Sequence, residues 1–422
     1  MKKSRFWWTA VGVVVTLAGC SSENEPIEET MPVEETPEEV LEESSLFELT
    51  EAEKEAASRT LDFQTELFRA VNADSDNGEK NVLVSPVSAQ IFASVIANTS
   101  GQVLRNEILT ALDCEDLDAL NSLAAKMLNE LPKVDETVSM TFANSIWYNE
   151  RYTVSDGCAA TLNEAFSIVP MPLDFSNGAQ ASGIINRWTS EKTNSLINNI
   201  VGPEDITPAL SAVMATAQYF KGGWDQPFDE KDTALEPFKS ADNSVSQVEM
   251  MKRSKKGHHY HLGEDCKAIK MYFGHGKFYA MFVLPPYRAD INEFVKTFDP
   301  NAELGFIDMD NVTFWLPKFK LETGKIGLNR PFGVMGISSL MRPEATAFFT
   351  DSHNATYDMY QTSMFSVEEK GAEGATAIWT HMNGADLNSD SSFDVLFNRP
   401  FLFFVKETST GACIFAGKII KL

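Results

Sequence analysis

An α+β domain with mixed and antiparallel sheets is the fold class the sequence predicts, and three observations predict it. Helical periodicity dominates the early part of the chain, while short aromatic and β-branched runs dominate the late part. The two do not alternate regularly, which argues against a doubly wound sheet, and no internal repeat is present. With 43% hydrophobic and 11% aromatic residues among 422, the chain can fill a large core. No second linker interrupts it, so one domain is expected from residue 46 to 422.

The N-terminus reads differently. Lys2, Lys3 and Arg5 precede a largely apolar run from Phe6 to Gly19, too short for the roughly 20 residues of a membrane-spanning helix. It ends in Leu17-Ala18-Gly19-Cys20, which resembles a bacterial lipobox. Residues 1–19 are therefore expected to be a signal peptide, and Cys20 a lipidated first residue anchoring an exported protein to the bacterial outer membrane. Residues 20–45 form an acidic tether: Ser21 to Ser45 holds ten Glu and no Lys or Arg.

Behind the tether, Thr50 and Glu53 suggest a capping box. Phe63, Leu67, Phe68 and Val71 then recur at helical spacing. The run "VSPVS" from Val84 reads as a strand end, a capping Ser and a Pro. It opens a second apolar helix carrying Ile91, Val95 and Ile96. Later, "YAMFVLPP", "VTFWLPKFKLE", "RPFLFFVKE" and "ACIFAGKII" read as strands punctuated by Pro or Gly.

Composition excludes several functions. A formal charge of -25 repels a phosphate backbone, so no nucleic-acid partner is expected. There is no G-x-S-x-G elbow, no H-E-x-x-H and no dinucleotide glycine fingerprint, so no enzyme, cofactor or metal is expected. "GACIFAGKII" evokes a phosphate loop, but its spacing is one residue too long and no Ser or Thr follows Lys418. His258, His259 and His261 cluster in "HHYHLG", without an acidic or Cys partner at metal-site spacing; an exposed hairpin is expected there. Cys114, Cys158, Cys266 and Cys413 lie far apart, and their spacing dictates no disulfide pairing.

The informative stretch runs from Glu369 to Phe401. Every second residue from Ala372 gives Gly374, Thr376, Ile378, Thr380 and Met382, none charged, whereas the alternate set includes Glu373, Trp379 and His381. A strand with this pattern can bury the first set without the several kcal/mol that an unpaired charge costs. Its small residues are poor strand formers, so it need not start as one. The segment is expected to lie outside a sheet and to be able to enter it.

These residues resemble the serpin family. "VEEKGAEGATA" is similar to the family's hinge, "NVLVSPVSAQIF" to its helix-B motif and "ANSIWYNERY" to a strand of its sheet A. "INRWTSEKTNSLI" resembles the helix-F segment and "YFKGGWDQPFD" the central strand. "LPKFKLE" and "FNRPFLFFVKETSTGACIFAGKI" resemble the late strands. The matches span roughly residues 55 to 422 in the family's order.

The resemblance implies three mixed or antiparallel sheets, about eight to nine helices, and an exposed reactive loop near 369–393. It implies a monomeric suicide-substrate inhibitor of serine proteases, with cysteine proteases as further targets. The protease cuts the loop and is caught as an acyl-enzyme while the freed segment enters sheet A. Strand insertion of this kind in serpins is itself a standard illustration of β-strand addition. Glu369, Gly371, Ala372, Gly374, Ala375, Thr376 and Ala377 would form the hinge and inserting segment. Counting from Glu369 places the scissile bond at Ala385–Asp386, whereas counting back from "FNRPF" lands near Ser389. Ala385 suits elastase-like targets, and Met382 or Leu387 suits chymotrypsin- or subtilisin-like ones. No Lys or Arg lies between Gly371 and Phe393, against trypsin-like targets.

Three positions depart from the family pattern. Ala372 stands where Thr or Ser is usual, Thr216 where Asn is, and Gln361 where His is. With Ser85 and Ser88, the last two would control sheet opening through a different set of uncharged polar bonds. The alternative reading is a non-inhibitory member acting as a carrier, whose hinge would more often bear charged or bulky residues.

Overall fold

The computed structural model describes residues 50–422 apart from 115, 255–257, 310–311, 352–353 and 374–393. The signal segment, Cys20 and the tether fall outside the described residues, as do Gly374, Ala375, Thr376, Ala377, Met382, Ala385, Asp386, Leu387 and Ser389. The chain begins with α1 (Glu51–Ala73), β1 (Val82–Val84), α2 (Pro86–Thr99), α3 (Gln102–Ala111) and α4 (Leu117–Asn129). Next come β2 (Val138–Asn149), α5 (Asp156–Phe166), β3 (Met171–Leu173), α6 (Gly178–Lys192) and β4 (Ala212–Gly223). Strands follow as β5 (Thr233–Lys239), β6 (Val245–Arg253), β7 (His258–Leu262), β8 (Lys267–Phe273) and β9 (Phe278–Leu284). After α7 (Ile291–Thr297) lie β10 (Ile307–Met309), β11 (Phe314–Pro317), β12 (Phe319–Gly327) and α8 (Asn329–Val334). The chain closes with β13 (Glu344–Ala345), β14 (Asn354–Ala355), β15 (Tyr360–Glu368), β16 (Gly371–Glu373), β17 (Val395–Leu396), β18 (Phe401–Glu407) and β19 (Cys413–Ile419).

Local chemistry explains the early helices. Thr50 and Glu53 close a reciprocal capping box, with Thr50 N–H donating to Glu53 Oε2 at 2.7 Å and Glu53 N–H to Thr50 Oγ1 at 3.3 Å. Ser85 caps α2 and Pro86 opens it, where a missing N–H costs nothing. Nearly every α2 residue is buried, so this helix is apolar on all sides and runs through the core.

Three sheets carry the fold, as the family resemblance implies, together with a small β13–β14 ribbon. The order in the largest is β1-β19-β18-β9-β8-β7-β10. Its β18 and β19 are buried along their whole length because helices cover one face and a second sheet the other. A four-stranded sheet has the order β17-β11-β6-β5, and a six-stranded sheet the order β12-β15-β16-β4-β2-β3. Aromatic rings join the layers. Phe365 of β15 stacks on Phe403 of β18 at 5.2 Å, and such rings dominate the burial energy. The "HHYHLG" run does form one arm of a hairpin, β7 paired with β8, but the arm is not an exposed one: β10 covers its other edge and Tyr260 is fully buried.

Candidate functional site

The six-stranded sheet positions the site. Its strands β15 and β4 are separated at one end by β16, three residues long. Gly371 and Ala372 pair with Gly223 and Gly222 of β4, while Glu373, Ala372 and Gly371 pair with Ser366, Val367 and Glu368 of β15. The start of the segment is therefore already seated in the sheet. This corrects the expectation that the whole stretch after Glu369 begins outside it. Ala372 is 1% exposed, which puts it on the core side that its alternation predicts.

Glycine makes this seating possible. A Cβ on Gly371 would lie 2.2 Å from the Gly222 carbonyl oxygen, and one on Gly222 would lie 2.8 Å from the Phe273 ring. Small size at 371 is thus a steric condition of backbone approach.

The turn before β16 is tied down on several sides. Trp224 Nε1 donates to the Glu368 carbonyl at 2.9 Å, Trp224 N–H to that of Lys370 at 2.9 Å, and Phe228 N–H to that of Glu369 at 2.9 Å. The Trp224 indole stacks on Phe273 at 4.4 Å. The Glu369 carboxylate accepts from Thr233 Oγ1 at 2.9 Å and pairs with Lys318 at 3.2 Å. Burial pushes that carboxyl up. The bonds from its own backbone, Thr233 and Lys318 outweigh burial and hold it below the usual range. Burial lowers Lys318 in turn, but Glu369 leaves it raised.

Below β16 a cavity of about 730 Å³ opens along β4 and β15, with Ala215, Gln218, Ser363, Phe365, Ser85 and Thr193 among its walls. Among the described residues, the ladder joins these two strands only through β16. A polar link crosses the gap at the capping serine of α2. Gln361 of β15 accepts from Ser85 N–H at 3.0 Å and donates to its carbonyl at 3.1 Å. From β4, Gln218 Oε1 accepts from Ser85 Oγ at 2.6 Å and from Ser88 Oγ.

The sequence named Thr216 as the β4 member of this group. The structure places Gln218 there instead, and the Thr216 hydroxyl donates to Asn144 Oδ1 of β2 at 2.8 Å. Both residues lie on one face of β4, two positions apart, and only the longer side chain spans the distance to α2. A glutamine inside the otherwise apolar run "MATAQYF" was the available signal. Sequence reasoning also missed Trp224, Thr233 and Lys318, which meet the hinge only through the fold.

The four described cysteines are free. Burial pushes Cys158 up to about 11 and Cys413 up to about 12, so neither is poised as a nucleophile.

Comparison with known proteins agrees with this geometry. The family model described as "Serpin (serine protease inhibitor)" matches residues 58–422. Plasminogen activator inhibitor 1 of Sus scrofa is 27% identical over 392 residues, covering 87% of this chain and 92% of its own. A serpin-like protein of Methanosarcina acetivorans is 26% identical over 358 residues, covering 81% of this chain and 82% of its own. Among solved structures, Serpin48 of the insect Tenebrio molitor superposes with TM-score 0.74 at 24% identity, covering 87% of this chain and 98% of its own. Human thyroxine-binding globulin has the same fold at TM-score 0.74 and 19% identity, covering 88% and 99%. The chain belongs to the serpin family.

Proposed function

We propose that this serpin inhibits serine proteases by the suicide-substrate route, with residues beyond Glu373 continuing β16 into the gap between β4 and β15 after cleavage. The observation that carries this reading is the seated hinge above a cavity along two strands that, among the described residues, only β16 joins. Continued in register, the inserted strand would bring Thr376 opposite Gln218 and Ser363, and Ile378 opposite Thr216 and Gln361. The uncharged alternate set would face the core that already holds Ala372. The opposite set, which carries Glu373, would face the other side of the sheet.

Reach and energy are adequate. From Glu369 to Ala385 the chain advances 16 residues, or roughly 50 Å at about 3.3 Å each. A dozen residues bonded on both sides would release on the order of 10 kcal/mol or more. Insertion must pass the Ser85–Gln218–Gln361 link, which would set the opening rate.

The favoured scissile bond is Ala385–Asp386, with Met382, Leu387 and Ser389 as the other positions. Elastase-like and chymotrypsin- or subtilisin-like enzymes are the favoured targets. Cys20 would anchor the inhibitor to a bacterial membrane, with residues 20–45 as spacer. The test incubates the chain with elastase, chymotrypsin and subtilisin, followed by denaturing gels and sequencing of the released peptide. A covalent adduct with a new N-terminus near Asp386 is expected. Complete turnover to nicked serpin with active protease would favour a carrier instead.

A further inference from the structure

The turn that joins β7 to β8 gathers chemistry that the inhibitory reading does not use. His261 is the penultimate residue of β7, and Asp265 and Cys266 lie in the turn, so that one donor atom from each falls within 4.8 Å of the others. His261 Nε2 and Asp265 Oδ1 are already 3.1 Å apart. In a tetrahedral zinc site with bonds of roughly 2.0–2.3 Å, neighbouring ligand atoms are separated by roughly 3.3–3.8 Å. The three groups need move by no more than about an ångström to reach that spacing.

The surroundings suit an ion. A Cβ on Gly263 would lie 2.2 Å from Asp265 Oδ1 and 2.4 Å from His261 Nε2, so glycine leaves open the space on which the two donors converge. Gly263 N–H donates to the Cys266 carbonyl at 3.0 Å, which fixes the turn. The pairs Leu262↔Lys267 and Ile307↔Tyr260 hold β7 on both edges. Cys266 is 2% exposed and belongs to the same apolar cluster as Ala268 and Met281, whereas the Asp265 side chain is open to water. One wall is dry and the other accessible.

We propose that this hairpin binds a soft divalent transition-metal ion, zinc by chemistry, through the His261 imidazole, the Asp265 carboxylate and the Cys266 thiolate, with water in the fourth position. Imidazole and thiolate exclude calcium and magnesium, which take oxygen ligands. Neutral imidazole with carboxylate and thiolate carries two negative charges, which balance the ion. An ordinary cysteine thiol is protonated at neutral pH. Binding forms the metal–sulfur bond, breaks the S–H bond and sends one proton to solvent. The spacing His-x3-Asp-Cys is not a familiar motif. It becomes a site because a four-residue turn folds the later two ligands back beside the first.

The test titrates cobalt(II), a spectroscopic stand-in for zinc, into the full reduced chain in detergent. One equivalent should give the thiolate-to-cobalt charge-transfer band and the visible bands of a four-coordinate site. One proton should be released per ion, and zinc should bleach the bands. Cys266→Ser should abolish the charge-transfer band. His261→Asn, at a partly exposed residue that the fold tolerates more readily, should weaken binding beyond the roughly 10- to 100-fold that loss of an outer-shell partner costs. A parent chain without the band overturns the proposal. So does a band that survives in C266S, or a cobalt affinity unchanged in H261N.

Discussion

Replacing Ala372 by Arg addresses the hinge at a position whose partners and burial the structure shows. Ala372 pairs with Val367 on one side and Gly222 on the other and is 1% exposed. An arginine there must either bury an unpaired charge, at several kcal/mol, or leave the sheet. Leaving forfeits the few ladder bonds of β16, each worth roughly 0.5–1.5 kcal/mol net, so expulsion is the cheaper outcome in the uncut chain. After cleavage the same side chain must be buried if the strand is to advance. A barrier raised by about 3 kcal/mol slows insertion roughly 100-fold, while hydrolysis of the acyl-enzyme proceeds unchanged. The variant should therefore run as a substrate, with the adduct on denaturing gels replaced by nicked serpin and free active protease. Ala372→Ser, small and uncharged, should keep the adduct. If A372R yields as much adduct as the parent, insertion led by this strand is not the mechanism.

Two further outcomes follow from the contacts around the gap. Gln361→Ala removes both bonds to the Ser85 backbone and should lower stability by about 1–3 kcal/mol, seen as a lower urea midpoint. An unchanged midpoint would show that the link does not hold β15 to α2. The Glu369 carboxyl is held below its ordinary value, so its contribution is present above the unfolded carboxylate value and is lost as pH falls through the folded one. Acid should therefore loosen the hinge first, read as faster hydrogen exchange at Trp224 and Phe228, and Glu369→Gln should flatten that dependence. The raised Lys318 sets the opposite limb: its share is present below the unfolded ammonium value and is lost only as pH rises through the folded one.

The sequence was informative where structure is local. The Thr50–Glu53 box and the Ser85–Pro86 start each sit within a few residues, and both helices begin where those residues place them. The runs that become β9, β18 and β19 are largely apolar, with Lys406, Glu407 and Lys418 as the charged exceptions, and the structure buries nearly all of their residues. Ala372 faces the core that its alternation with charged neighbours required. What escaped the sequence depends on distance along the chain. Lys318 reaches Glu369 only because β12 and β15 pair, with Phe319 opposite Val367. That β16 is seated in advance was not legible either, because a three-residue strand has no periodicity of its own. The choice of Gln218 over Thr216 rests on side-chain reach across a layer, and residue type alone does not encode that.

The most direct measurement compares thermal unfolding of the intact chain with that of the same chain clipped once in the loop, both fragments retained. Entry of a dozen residues between β4 and β15 should raise the midpoint by at least about 10 °C. The clipped form should also lose the solvent access of the cavity lined by Ser363 and Phe365. A midpoint that stays where it was, or falls, would mean that cutting frees the segment without drawing it into the sheet.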